Sequence, residues 1–379
     1  DVMHLEGVAF AHLKRNGRQP NIASKTQLLN FLRRSAQSVQ ITNYENGFLL
    51  SEWENVIDDW GIETLEDYTN LSRVGRKSKL GTNQRKDLWR IFDETKQLLK
   101  SRNLTTWSHI FRDLSLTNDP SAQYDHVIID EAQDISSAEL SFLARHYGDK
   151  PNGLFFAGDI GQRIFRAPFS WSSLGVDVRG KSNILKVNYR TSQQIRAKAD
   201  LLLPKEIKDG DNQSEDRSST VSVFRGEPPK ISLSDNEAGE AKIVSDWIKE
   251  QFDQGIAPTE IGVFVRNEHQ YKRALSAIKD SGNTGVVLNY KLDGDDSSIN
   301  YGTMHLAKGL EFRSVAVMAC DDDILPLRER VKLFTEEVDI EEVERTERQL
   351  LYVACTRARE SLLVTGVGVG SKYLYELIS

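Results

Sequence analysis

The run Asp130-Glu131-Ala132-Gln133-Asp134 stands directly after the apolar triplet Val127-Ile128-Ile129. Paired carboxylates at the C-terminal end of a strand lie where an α/β sheet collects its ligand chemistry. In a nucleotide hydrolase the first, Asp130, holds magnesium, usually through water. The second, Glu131, takes a proton from the attacking water. The same residues equally suit an acidic helix entrance favoured by the macrodipole. The next apolar run, Leu154-Phe155-Phe156, ends in Gly158-Asp159-Ile160-Gly161-Gln162. An amide at that place can sense a terminal phosphate or orient a water; a Gly-rich turn is the plainer reading. Phe165, Phe169 and Trp171 follow, interleaved with Arg163 and Arg166. That pattern suits stacking on single-stranded bases, and equally a lid over a core. In Asn188-Tyr189-Arg190-Thr191, Tyr189 can stack on a base and Arg190 can pair with a phosphate, unless the two are simply a surface pair.

Two further groups lie near the C-terminus. Thr303-Met304-His305-Leu306-Ala307-Lys308-Gly309-Leu310-Glu311-Phe312 joins two strands. Lys308 and Gly309 suit an approach to phosphates, and Glu311 can accept from a ribose hydroxyl. His305 lacks cysteine or histidine partners at metal-ligand spacing. Arg348 to Ala358 reads as an amphipathic helix with Leu350, Leu351 and Ala354 on its apolar face, and Arg357 at its end. Such an arginine is either an arginine finger or a solvated helix charge. One match is rejected: Gly175 to Ser182 fits G-x-x-x-x-G-K-[ST] letter for letter. A working phosphate loop follows a buried strand and opens a helix. Here Trp171-Ser172-Ser173-Leu174 precedes it and a strand, not a helix, is expected after it.

The elements that must position these residues can be read from periodicity. Residues 1 to about 120 read as mostly helical, with apolar residues at helical spacing around Phe10 and Leu28 to Leu32. A basic stretch, Arg73, Arg76, Lys77, Lys79, Arg85 and Lys86, is punctuated by Gly75 and Gly81 and reads as a loop. Buried strands are expected at 127–129, 154–156 and 184–187. A capping box at Ser136 opens a helix, and another runs over 192–203. Residues 205–220 are polar and read as a linker. Beyond them strands are expected at 221–224, 231–233, 261–265, 285–288, 314–318 and 362–365, with helices at 238–253, 268–280 and 342–357. Short apolar strands separated by helices predict a parallel α/β sheet.

Composition bounds the possibilities. The chain has 379 residues, 39% hydrophobic and 28% charged, which is ordinary soluble globular composition for two or three domains. The net charge of −7 gives no whole-protein basic field, so a nucleic-acid partner needs a local basic groove. No apolar run reaches membrane-spanning length and no signal peptide is evident, so no membrane partner is expected. The two cysteines, Cys320 and Cys355, exclude a disulfide framework and a cysteine-rich metal site; a cytoplasmic location is expected.

Taken in order, these motifs resemble those of the UvrD/Rep (PcrA-like) superfamily 1 DNA helicases, from about residue 120 to the C-terminus and weakly before. The resemblance implies an α/β fold of two RecA-like parallel-sheet lobes with ATP between them and a helical subdomain inserted in the first. The divisions would be 1–120, the helical subdomain with the rest of the first lobe's N-terminal part; 121–204, the remainder of that lobe; 205–220, a linker; and 221–379, the second lobe. Asp130 would match the family's magnesium-binding aspartate and Glu131 its catalytic base. Gln162 would match its γ-phosphate glutamine, Tyr189 its adenine-stacking tyrosine and Arg190 its γ-phosphate arginine. Lys308, Gly309 and Glu311 would fall in the next ATP-contacting motif, and Arg357 would be the arginine finger. Thr303 and His305 resemble positions coupling ATP to the DNA groove. Arg76 and Lys77 sit where the family places a DNA-contacting subdomain, and Phe165 or Trp171 would stack on bases. ATP and Mg²⁺ are the implied cofactors. The partner would be single-stranded DNA or DNA with a 3′ single-stranded tail.

Three departures accompany the resemblance. No phosphate loop precedes the acidic motif, which suggests a first lobe incomplete at its N-terminus. The large helical insertion of the second lobe is missing, with 293–300 in its place. Ala167 stands where relatives often carry a base-stacking tryptophan. The expected function is an ATP-dependent 3′-to-5′ single-stranded DNA translocase and helicase in repair or recombination. This chain would be a fragment of it, inactive as an ATPase without its phosphate loop. The alternative is a non-catalytic nucleic-acid- or protein-binding remnant of the same fold.

Overall fold

The computed structural model describes residues 1–71, 80–117, 124–164, 169–204, 206–208, 214–216, 220–288, 297–328 and 337–378. They fall into two compact units. One comprises residues 1–160 and 165–182, the other residues 161–164, 183–208 and 214–379.

The first unit begins with helices α1 (Leu5–Arg15), α2 (Lys25–Ser38), α3 (Asn46–Glu52), α4 (Leu65–Asn70), α5 (Thr82–Ser101) and α6 (Trp107–Leu116). Local signals set their starts. Ser24 closes a capping box on α2: the Gln27 N–H donates to Ser24 Oγ (3.2 Å) and the Ser24 N–H to Gln27 Oε1 (2.9 Å). The apolar stripe of α2 (Leu28, Phe31, Leu32) meets that of α5 (Leu88, Ile91, Phe92) in one buried core. Helix α5 starts at Thr82, so Arg85 and Lys86 lie on a helix rather than in the expected loop. Arg85 Nη1 donates to the carbonyls of Tyr68 (2.8 Å) and Thr69 (2.7 Å), which is structural work. The rest of the basic stretch, Arg73, Arg76, Lys77 and Lys79, lies outside the described residues.

After the helices come β1 (Val127–Ile129), α7 (Ser137–Tyr147) and β2 (Leu154–Phe156). The strands pair in parallel, Ile128 opposite Phe155, so α7 is their crossover. The Ser136 capping box forms as expected, with the Ser136 N–H donating to Glu139 Oε2 at 2.7 Å. The strands are not buried throughout, which corrects the sequence reading. Ile129 packs into the core with Leu140 and Leu143, while Ile128 (75%) and Phe155 (62%) are exposed. Side chains alternate across a strand, and only one face of this pair is covered.

The second unit holds β3 (Val187–Asn188), α8 (Gln193–Ala199), the antiparallel pair β4 (Glu206–Lys208) and β5 (Ser214–Asp216), and β6 (Val221–Ser222). A six-stranded sheet then builds on β7 (Lys230–Ser234), α9 (Glu237–Asp253), β8 (Ile261–Val265), α10 (Tyr271–Asp280), β9 (Gly285–Val287), β10 (Ile299–Thr303), β11 (Phe312–Val317), α11 (Glu337–Cys355), β12 (Ala358–Val367) and α12 (Lys372–Ile378). Its order is β7-β12-β11-β8-β10-β9 and every pairing is parallel. The central strand Ile261-Gly262-Val263-Phe264-Val265 is buried at all five positions, as a strand covered on both faces must be. Val244 and Ile248 of α9 and Ala274 and Ile278 of α10 supply much of the covering layer. This parallel α/β layering is the fold class expected of a RecA-like lobe.

Three expectations change here. The strand expected at 184–187 shrinks to β3, and Ile184 and Leu185 are exposed. Among the described residues its ladder partner is the two-residue β6, which pairs with Val187 and Asn188 and not with Ile184 or Leu185. Strand β10 was not foreseen. The polar span at 205–220 contains the short β4–β5 pair.

Candidate functional site

The acidic turn leaves β1 at Asp130. The Glu131 N–H donates to Asp130 Oδ1 (2.8 Å), and Glu131 itself adopts φ 51°, a left-handed conformation uncommon outside glycine. Such strain persists where surrounding bonds over-determine it. Here the Ala132 N–H bonds the Ala157 carbonyl (2.9 Å), tying the turn to the end of β2. The buried Gln133 side chain works in both directions: its Nε2 donates to Glu131 Oε2, and its Oε1 accepts from the Asp159 N–H (3.0 Å). A Cβ on Gly158 would come within 2.3 Å of that Oε1, so only glycine permits the contact. Gln133 is therefore an organiser of the acidic pair that the sequence reading passed over. Its signal was its position inside the acidic run, two residues from Glu131.

The remaining polar groups gather on the segment after β10, all within the second unit. Arg357 lies just beyond α11, which ends at Cys355, and is only 1% exposed. Its Nη2 donates to Gln162 Oε1 (2.7 Å), its Nε to the Val353 carbonyl (3.1 Å) and its Nη1 to the Leu310 carbonyl (3.4 Å). It is thus neither a solvated helix charge nor an open finger in this structure. Lys308 Nζ donates to the Gln162 carbonyl (2.7 Å). Gly309 turns the chain with φ +78°, and open space surrounds a Cβ built there, so its requirement is conformational. Next to Leu310, Glu311 meets two arginines: Arg190 Nε at 3.1 Å and Arg359 Nη1 at 3.4 Å.

Arg190 is set by an Asx turn. Asn188 Oδ1 accepts from the N–H groups of Arg190 (2.7 Å) and Thr191 (3.1 Å). Tyr189, between them, is 74% exposed and free to offer a ring face. Thr303 closes β10 and His305 sits half-buried in the turn that follows. Trp171 is half-buried in the first unit, edge-on to Phe156 (4.8 Å) and stacked with Phe169 (6.2 Å). It is fixed by packing and is not a free-standing platform. Phe165, with Arg166 and Ala167, lies outside the described residues.

The letter-perfect phosphate-loop match at 175–182 has no helix after it, and a short 3-10 turn, Ser172–Leu174, before it. Within it Arg179 donates to Asp177 (Nε–Oδ1, 2.8 Å), which holds that carboxyl well below the usual range. Cys320 and Cys355 are buried, and burial pushes the Cys355 thiol up to about 12, so neither is a reactive thiolate.

Cofactor fit follows from these donors. No cluster of three or more metal-ligating side chains exists among the described residues. A magnesium ion held largely by phosphates and water needs only a carboxylate or two, which exposed Asp130 can supply. Lys308, Arg190 and Arg357 carry the charge sign that a polyphosphate attracts, and exposed Tyr189 carries a ring that can stack on a base.

Comparison with known proteins points to the same family as the resemblance. The UvrD/REP helicase N-terminal domain family matches residues 11–168, and the UvrD-like helicase C-terminal domain family matches residues 287–367. A curated relative, a probable DNA helicase from Mycoplasma pneumoniae, is 24% identical over 264 residues. The match covers 66% of this chain and 45% of that protein, so the chain spans less than half its length. The solved C-terminal domain of a possible DNA helicase from Lactobacillus plantarum WCFS1 aligns at 20% identity with a TM-score of 0.36, over 50% of this chain and 94% of that one. No helix among the described residues is long and apolar enough to cross a membrane. With an N-terminal and a C-terminal UvrD helicase domain in one chain, this protein belongs to the UvrD/Rep-like helicase family.

Proposed function

We propose that this chain belongs to the motor core of an ATP-driven 3′-to-5′ translocase and helicase, acting on single-stranded DNA or DNA with a 3′ single-stranded tail. Repair or recombination is the process we infer from the family. One observation carries the reading: Gln162, Lys308, Arg357, Glu311 and Arg190 converge on the 308–311 segment. A surface built only for stability has no reason to collect three cations and a glutamine amide there.

The roles follow from the chemistry. Glu131, held by Gln133, takes a proton from the attacking water. Asp130 holds magnesium through water; when bound, that ion neutralises phosphate charge. Gln162 and Arg357 are hydrogen-bonded to each other, so a terminal phosphate must compete with each for the other. That makes the pair a sensor of phosphate occupancy. Arg190 and Lys308 pair with phosphate oxygens, Tyr189 stacks on adenine, and Glu311 accepts from the ribose. Thr303, His305 and Phe165, together with Arg76 and Lys77, contact DNA. The domain division 1–120, 121–204, 205–220 and 221–379 is proposed with it.

DNA-stimulated ATPase activity of the full-length protein tests this. Glu131→Gln is expected to lower kcat by roughly 100-fold or more, in the range for loss of a general base, with ATP still bound. Equal turnover in that variant would remove Glu131 from its role. Failure of the full-length protein to bind ATP would favour a non-catalytic module.

A further inference from the structure

Glu311 uses each carboxylate oxygen for a different arginine. Oε2 faces Arg190 Nε at 3.1 Å and Oε1 faces Arg359 Nη1 at 3.4 Å. The three side chains are 40%, 48% and 45% exposed, so each pair is solvated and weak. The backbone beneath them is held more firmly. The Ser192 N–H donates to the Arg359 carbonyl (2.9 Å), Thr191 Oγ1 to the Thr356 carbonyl (3.3 Å), and the Phe312 N–H to the Arg357 carbonyl (3.0 Å). The three stems are therefore fixed relative to one another while the heads can exchange partners.

We propose that Arg359 is a positioning residue for nucleotide recognition: it retains Glu311 in place when Arg190 leaves for a phosphate. This rests on the reading of Glu311 as ribose acceptor and Arg190 as phosphate ligand. A polyphosphate outcompetes one solvated carboxylate for Arg190, because its charge is larger. Without a second partner, Glu311 would then be free to rotate away from the ribose hydroxyl it must meet. Arg359 removes that freedom and leaves the other carboxylate oxygen open as acceptor.

The test is DNA-stimulated ATPase of the full-length protein with ATP, 2′-deoxy-ATP and 3′-deoxy-ATP. Arg359→Ala is expected to raise KM for ATP roughly 3–10-fold, a fraction of one charge-assisted hydrogen bond. Its kcat should stay within about twofold, and KM for the deoxy analogue lacking the recognised hydroxyl should not move. Arg359→Lys should restore most of the discrimination between ATP and that analogue. Glu311→Gln should abolish it, with no further change on adding Arg359→Ala. An equal rise in KM for ATP and both analogues, or no rise, would overturn the role of Arg359 while leaving Glu311 in its own. A wild-type protein that does not discriminate between ATP and either analogue would overturn the ribose reading itself, and this proposal with it.

Discussion

Arg273 on α10 offers the sharpest test of how the second unit is held together. Its guanidinium serves two carboxylates from different elements. Nε and Nη2 donate to Glu240 Oε2 (3.0 and 2.5 Å), and Nη1 and Nη2 donate to Asp321 Oδ2 (2.6 Å) and Oδ1 (3.3 Å). Glu240 is fully buried, and Asp321 and Arg273 nearly so. Arg273→Met fills similar space but strands two buried anions, and breaking a buried pair costs about 3–5 kcal/mol. Part of that is offset. Glu240 Oε1 keeps the Ala319 N–H (2.9 Å) and the Thr365 hydroxyl (2.8 Å), and Asp321 Oδ1 keeps the Val367 N–H (2.7 Å). The low end of that range, about 3 kcal/mol, is therefore expected. For a unit on the order of 200 residues this lowers Tm by roughly 6–12 °C. Calorimetric melts of wild type and variant read this directly. A loss below about 1 kcal/mol would refute the view that Arg273 compensates two buried charges.

Two other outcomes follow from the geometry. Gly158→Ala should push Gln133 off the Asp159 amide, because the new Cβ would sit 2.3 Å from Oε1. ATPase activity of the full-length protein should fall about tenfold or more with Tm lowered by only a few degrees, and an active variant would show that Gln133 does not orient Glu131. Arg313 forks onto Glu360 at 3.0 and 2.9 Å and lowers its pKa. That contribution, under about 1 kcal/mol for so exposed a pair, is present above the ordinary carboxyl range and lost as pH falls through Glu360's lowered pKa. Arg313→Ala should thus destabilise slightly at pH 7 and progressively less as pH falls below the ordinary carboxyl range, and a series of urea midpoints from pH 7 downwards checks it.

How much was legible depended on where each residue's partners lie. Strand β8 was readable to the residue because four of its five positions are large and apolar, the fifth is Gly262, and both faces are covered. The helix after Ser136 was readable because its cap is local. Strand β10, Ile299-Asn300-Tyr301-Gly302-Thr303, carries little apolar signal, and it is a strand because β8 and β9 pair with it on both sides. Ile184-Leu185 carries a strong apolar signal and is not a strand; β6 pairs with Val187 and Asn188 and not with it. Helix α11 stops at Cys355 and β12 begins at Ala358, so Arg357 occupies the short connection where its side chain reaches Gln162. A residue's place along the chain does not reveal a partner 195 positions away.

The sequence by itself determined the class of protein and the order of its chemical groups. Strand periodicity, the acidic pair after an apolar triplet, and the run from Thr303 to Arg357 are all properties of neighbouring residues. The rejection of the match at 175–182 came from the same local logic. Only the tertiary structure decided which charges are buried, which are shared and which face water. Arg357 and Arg359 are two residues apart in one chain, yet one is buried against Gln162 and the other stands half-exposed beside Glu311. Pairing energy depends on distance and solvent, and neither is a property of the chain until the sheet brings its strands together.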